Sequence, residues 1–248
     1  MSRGKALLVA AALLAGLASC GASGDVSVPR ATNGTVASAP GGAEGSVSAS
    51  DPIAGLQPPI LQRRIPFPPK RKREMAAYAY RHYGIRDWRL RNPRVIVIHY
   101  SETSSANAVR ETFLPDRPDP ELHERPGTCA HFVIDRAGRI YQLVDLGTMC
   151  RHAFGVNWTA IGIEHVGYSD GQVLSDGRQF AASLRLTRWL RCRYRIQVRN
   201  VIGHAETPRS PFWRERDPRR SRETHGDFAR PAMTVYRGRL ARLRCPAP

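Results

Sequence analysis

The chain has 248 residues, a formal net charge of +17 from 38 Lys and Arg against 21 Asp and Glu, and 42% hydrophobic residues. Its length leaves room for one domain with a core of its own, and no apolar run in it is long enough to span a bilayer. The charge implies an anionic partner.

Arg3 and Lys5 precede an apolar run from Ala6 to Gly16 that ends in small residues, the pattern of an export signal over 1–19. About eleven residues reach only about 16 Å as a helix, roughly half a bilayer core. Leu17-Ala18-Ser19-Cys20 resembles the bacterial lipobox, which makes Cys20 the lipidated residue of a membrane-anchored protein facing the periplasm or cell wall. Gly21 is not the Asp that retains many lipoproteins at the inner membrane, so an outer-membrane anchor is expected in a Gram-negative cell. Residues 20–65, rich in Gly, Ala, Ser and Pro, read as a flexible tether, and 66–248 as the folded domain. The run Lys70 to Arg73 reads as a solvated linker end that can touch anionic lipid or wall. Export turns the basic charge away from nucleic acid and towards an envelope polymer or lipid head groups. Cys129, Cys150, Cys192 and Cys245 remain, enough for two disulfides in any of three connectivities; metal ligation by cysteines is the rival, but no CxxC spacing occurs.

Within the domain, Glu74 to Tyr83 reads as a helix stopped by Gly84. Arg94 to Tyr100 carries VIVI before His99, a buried strand with the histidine at its carboxyl end. Ser104 to Phe113 is a predicted helix opened by a serine cap, followed by a loop with Pro115, Pro118, Pro120 and Pro126. His131 to Ile134 and Ile140 to Val144 form a predicted hairpin, and Ala160 to Val166 another buried strand. Ala182, Leu186, Trp189 and Leu190 recur at helical spacing with Arg185, Arg188, Arg191 and Arg195 on the other side. Val198 to Ile202 is a strand running into Gly203-His204, and Pro231 opens a terminal helix with Met233, Tyr236, Leu240 and Leu243 as its apolar stripe. The order predicts an α/β fold, a central mixed β-sheet flanked by helices, with a cleft at the strand ends.

His99, Glu164 and His204 all fall where apolar strands end. Polar, metal-competent side chains are costly there unless something pairs them, so one shared site accounts for all three. The segments VIVIHYSET, AHFVIDRAGRIYQLV, RHAFGVNWTAIGIEHVG and VIGHAET, in this order, resemble the type-2 N-acetylmuramoyl-L-alanine amidases, a family that includes phage amidases, bacterial muropeptide amidases and animal peptidoglycan-recognition proteins. The resemblance runs from about Arg94 to Phe228. It implies Zn²⁺ held by His99, His204 and, in Thr224-His225-Gly226-Asp227-Phe228, Asp227. Two neutral imidazoles and a carboxylate suit zinc and leave one position open.

By the same resemblance Glu164 is the general acid and base, and His225, standing where the family often has Lys, donates to the developing oxyanion. Glu164 has a second reading, as a residue that orients a metal-bound histidine. A tyrosine that some members place before the HF strand is Ala130 here. His131, His152, Asn157 and Trp158 are candidate substrate contacts, with core or histidine-orienting roles open for the two histidines and a structural one for Trp158. His82, His123 and His165 read as structural or solvated. The implied activity is hydrolysis of the bond between N-acetylmuramic acid and L-alanine by a monomer that does not bind nucleic acid. The alternative is a peptidoglycan-binding lipoprotein that does not cut.

Overall fold

A computed structural model describes residues 51–220 and 223–247; the signal sequence, Cys20 and the tether up to residue 50 lie outside them. Six strands form one sheet: β1 (Ile60–Gln62), β2 (Val95–Tyr100), β3 (Phe132–Ile134), β4 (Ile140–Gln142), β5 (Ala160–His165) and β6 (Val201–Gly203), in the order β1-β4-β3-β5-β2-β6. Only the β3/β4 hairpin is antiparallel. The helices are α1 (Pro69–Tyr83), α2 (Ala106–Phe113), α3 (Asp170–Ser175), α4 (Gly177–Arg193) and α5 (Arg230–Ala241).

Alternation along the strands divides the sheet into two different faces. Ile96, Ile98, Ile134, Ile161 and Ile163 pack with Leu186 and Leu190 of α4 and Met233 and Tyr236 of α5 in the main core. The opposite parity gives Val95, Val97 and Ala160 at one end and Val133 under Val109 and Phe113 of α2 at the other. His99 and Glu164 belong to this second parity and are paired in register on β2 and β5.

Local chemistry sets the helix ends. Ser105, Ser169 and Asp176 accept hydrogen bonds from Ala108 N, Gln172 N and Gln179 N at the starts of α2, α3 and α4, each cap worth about 1 kcal/mol. Gly84 closes α1 in the left-handed region (φ 70°), which a glycine adopts without Cβ strain. The two disulfides are Cys129–Cys150 and Cys192–Cys245, the second tying the end of α4 to the chain beyond α5.

Two expectations at the start of the domain are corrected. The tether ends before residue 65, because Ile53 and Leu56 pack on the core and β1 adds a strand beside β4. Lys70 to Arg73 is not a solvated linker end but the first turn of α1. Arg71 is 0% exposed, its guanidinium donating to the carbonyls of Phe113, Gly127 and Thr128. A buried cation spent on main-chain acceptors fixes the long loop over the sheet.

Candidate active site

His99 is the penultimate residue of β2, His204 follows β6, and Asp227 lies in the loop before α5; all three are buried, and one donor atom from each falls within 4.8 Å of the others. Asp227 Oδ2 is 3.1 Å from His99 Nδ1, and Asp227 Oδ1 is 3.1 Å from His204 Nδ1. Asp227 reaches them although it is far along the chain, because its loop is fastened to the turn after β6. Ala205 N donates to Asp227 O at 3.0 Å, and Thr224 Oγ1 donates to His204 O at 2.6 Å. A Cβ at Gly203 would collide with the Phe228 carbonyl, so this close approach requires glycine. Asp170 caps the next turn by accepting from Phe228 N and Ala229 N.

His152 supports the triad from behind. Its Nε2 lies 3.4 Å from the Ala160 carbonyl, which can only accept, so this nitrogen carries the hydrogen. Its Nδ1 then accepts from His99 Nε2 at 3.2 Å. His99 Nδ1 is the nitrogen turned to Asp227, at 3.1 Å from its Oδ2, a place that either a proton or a metal ion can occupy. Zinc fits this spacing: donors at about 2.0–2.1 Å around a tetrahedral ion are roughly 3.3 Å apart, close to the 3.1 Å between Asp227 and each histidine.

Burial disfavours a charged His99, but the carboxylates of Glu164 and Asp227 outweigh it and raise its pKa. His204 has no Glu164 facing it, and burial brings it down to about 4. Burial would raise Asp227, yet hydrogen bonds from His204 and His99 hold it far below the usual carboxylate range. Glu164 is 8% exposed, with Oε2 buried and without a hydrogen-bond partner. Burial pushes it up to about 7, against the pull of His99 and with the help of Asp227.

The triad and Glu164 open into a cleft of about 490 Å³ reaching Tyr78, Arg151 and Phe154. His225 lies at its mouth, stacked on His204 with ring centroids 4.7 Å apart and donating to Glu121 Oε2 at 2.9 Å.

Other predicted contacts are corrected. His131 is fully buried with both nitrogens spent on the main chain, Nε2 towards Thr148 O and Nδ1 accepting from Gly162 N, so it cannot meet a substrate. Asn157 does line the cleft; its Oδ1 accepts from His152 N and Ala153 N and its Nδ2 donates to Tyr78 OH, so it also shapes the loop that carries His152. Trp158 is outside the cleft lining, donating to Phe212 O. His152 touches His99 and does so through Gly162, where a Cβ would stand 2.7 Å from its ring. His165 is structural as expected, joining His99 O to Ser183 Oγ, and so is His82, buried between Glu124 and Glu215. Asp170, Gly162 and Glu121 were missed, since only the folded chain brings them near the site.

The family profile for N-acetylmuramoyl-L-alanine amidase matches residues 89–220, which include His99, Glu164 and His204 and stop short of Asp227. Comparison with curated protein sequences finds no match. Among solved structures, the chain is similar to the N-acetylmuramoyl-L-alanine amidase LysC from Clostridium intestinale URNW, at 19% identity over 75% of this chain and 99% of that one, with a TM-score of 0.48. It is also similar to a mutant endolysin from Bacillus subtilis, at 23% identity over 59% and 83% of the two chains, TM-score 0.41. A third similar structure is the amidase AmiD from E. coli in complex with anhydro-N-acetylmuramic acid-L-Ala-D-gamma-Glu-L-Lys, at 22% identity over 52% and 53%, TM-score 0.37.

Proposed function

We propose, from the premise that this chain belongs to the N-acetylmuramoyl-L-alanine amidase family, that it is a zinc-dependent enzyme of cell-wall remodelling or recycling, anchored through lipid on Cys20. The observation that carries the zinc reading is the convergence of His99, His204 and Asp227 beside a buried carboxylate with a free oxygen. His99, His204 and Asp227 would hold the ion. When bound, zinc supplies a Lewis acid for the lactyl carbonyl and lowers the pKa of water.

Glu164 takes a proton from the attacking water and returns one to the alanine nitrogen as the C–N bond breaks, leaving a free lactyl carboxyl group and a free peptide amine. His225 donates to the carbonyl oxygen as negative charge develops on it, which requires it to release Glu121. The narrow position of Glu164, buried beside His99 on the neighbouring strand, supports proton transfer over a purely orienting role, since no hydrogen bond joins it to a metal-competent histidine.

Elemental analysis is expected to find about one zinc per chain, in line with a single three-donor site. Mass spectrometry of digested muropeptides should show free N-acetylmuramic acid termini and intact stem peptides, and Asp227→Ala should reduce their release to background. Full activity in Asp227→Ala would remove that carboxylate from the metal site. Retained binding of peptidoglycan with no cleavage by the wild-type protein would favour the non-cutting alternative.

A further inference from the structure

The cleft and one uninterrupted basic layer of this protein lie on opposite sides of the sheet. The cleft mouth is rimmed by Glu102, Glu121 and Glu223. The layer formed by α4 and α5, on the other face, contains no acidic residue: no Asp or Glu occurs from Gly177 to Ala205, or from Phe228 to Pro248. Arg178, Arg185 and Arg193 on α4 and Arg239, Arg242 and Arg244 on and beyond α5 are exposed, and among the described residues none is within ion-pair distance of a carboxylate. Unpaired like charges on adjacent helices repel, so this layer attracts an anionic surface that neutralises them.

We propose that the α4/α5 layer is a docking surface for an anionic phospholipid bilayer, which turns the catalytic cleft outward, away from the membrane and towards the wall. Three observations choose this occupant. The cations are all guanidinium groups, since no Lys follows Lys72, and guanidinium pairs with phosphate through two parallel hydrogen bonds. Val235, half exposed in a shallow depression with Thr234, Gly238, Arg239 and Arg242, offers an apolar contact among the charges, while no exposed aromatic side chain of α4 or α5 is available to stack on bases. Finally, the turn Ala54–Leu56 packs against α4, so the chain enters the domain on this same layer. The surface acts whether or not Cys20 carries lipid.

The test uses full-length protein with Cys20→Ser, so that acylation does not contribute, and vesicles of phosphatidylcholine with and without phosphatidylglycerol. The apolar run near the N-terminus is common to every variant, so the readout is the gain in binding caused by the anionic lipid. Combined Arg185→Glu, Arg193→Glu, Arg239→Glu and Arg242→Glu should reduce that gain at least about 100-fold. A control with Arg91→Glu, Arg94→Glu, Arg117→Glu and Arg214→Glu, which changes net charge equally on other faces, should keep most of it; circular dichroism checks that both fold. Equal loss in the two variants, or no loss in the first, overturns the proposal. Preferential binding of wild type to soluble polyphosphate over vesicles at equal phosphate would assign the layer to a dissolved polyanion instead. None of these readouts depends on amidase activity, so the docking surface and the enzymatic reading fail separately.

Discussion

The two faces of the sheet are made by alternate residues of the same strands, and they follow different rules. On the α4/α5 face, Ile96, Ile98, Ile161 and Ile163 pack in one apolar core with Leu186 and Leu190, around a small buried network of His165, Ser183, Thr187 and Tyr236. On the cleft face the same two central strands carry His99, Gly162 and Glu164, and the neighbours of these residues come from loops. One face stores stability in packing. The other gives up packing to hold polar groups that meet partners far away in sequence, as His99 meets Asp227, or that meet none, as with Glu164 Oε2.

Substitutions on the two faces should therefore fail in different currencies. On the cleft face, Glu164→Gln is expected to keep the fold and the metal content while lowering turnover by roughly 10² to 10⁴. Steady-state kinetics at saturating zinc measures this, and unchanged turnover would return Glu164 to an orienting role. On the opposite face, Leu186→Ala should cost about 2–5 kcal/mol of stability and leave the turnover of the folded fraction alone. Urea titration and activity on the same sample decide whether the faces are as separable as their parity suggests.

The smallest effect sharpens the comparison at the junction of strand and loop. His152→Phe should weaken zinc affinity by about 10 to 100 fold, whereas His152→Asn, which can still offer an oxygen to His99 Nε2, should recover much of it. Competition with a chromophoric chelator reads the affinity directly. Equal affinity in Phe and Asn variants would mean that His152 only fills space.

The same division explains what was legible in the sequence. Periodicity revealed the strands and the large helices, because their burial repeats within a few residues. His99, Glu164 and His204 stood out as polar residues interrupting apolar runs. Asp227 followed from the family resemblance and not from its neighbours, which show no pattern of their own. What stayed hidden depends on distant partners. Lys70 to Arg73 carries the composition of a solvated segment, and nothing local tells that Arg71 will meet the carbonyls of Phe113, Gly127 and Thr128. β1 is three residues amid prolines, and only its pairing with β4 makes it a strand. His131 was expected at the substrate for a related reason: a residue that organises the sheet beneath a binding loop and one that touches the ligand occupy the same stretch of sequence. Cysteine counting gave two disulfides, but the choice of partners required the fold.

The fastening of the Asp227 loop to β6 has a thermodynamic consequence. His99 and Asp227 are 128 positions apart, so an ion held by both, and by His204, acts as a cross-link between the first central strand and the C-terminal part of the domain. The unfolded chain cannot offer this set of donors together, and binding therefore draws the folding equilibrium towards the native state. At a free metal concentration one hundred times the dissociation constant, that linkage contributes about 2.7 kcal/mol. With zinc held there as proposed, catalytic competence and resistance to unfolding would rise and fall with the same variable, the supply of metal in the compartment where the chain folds.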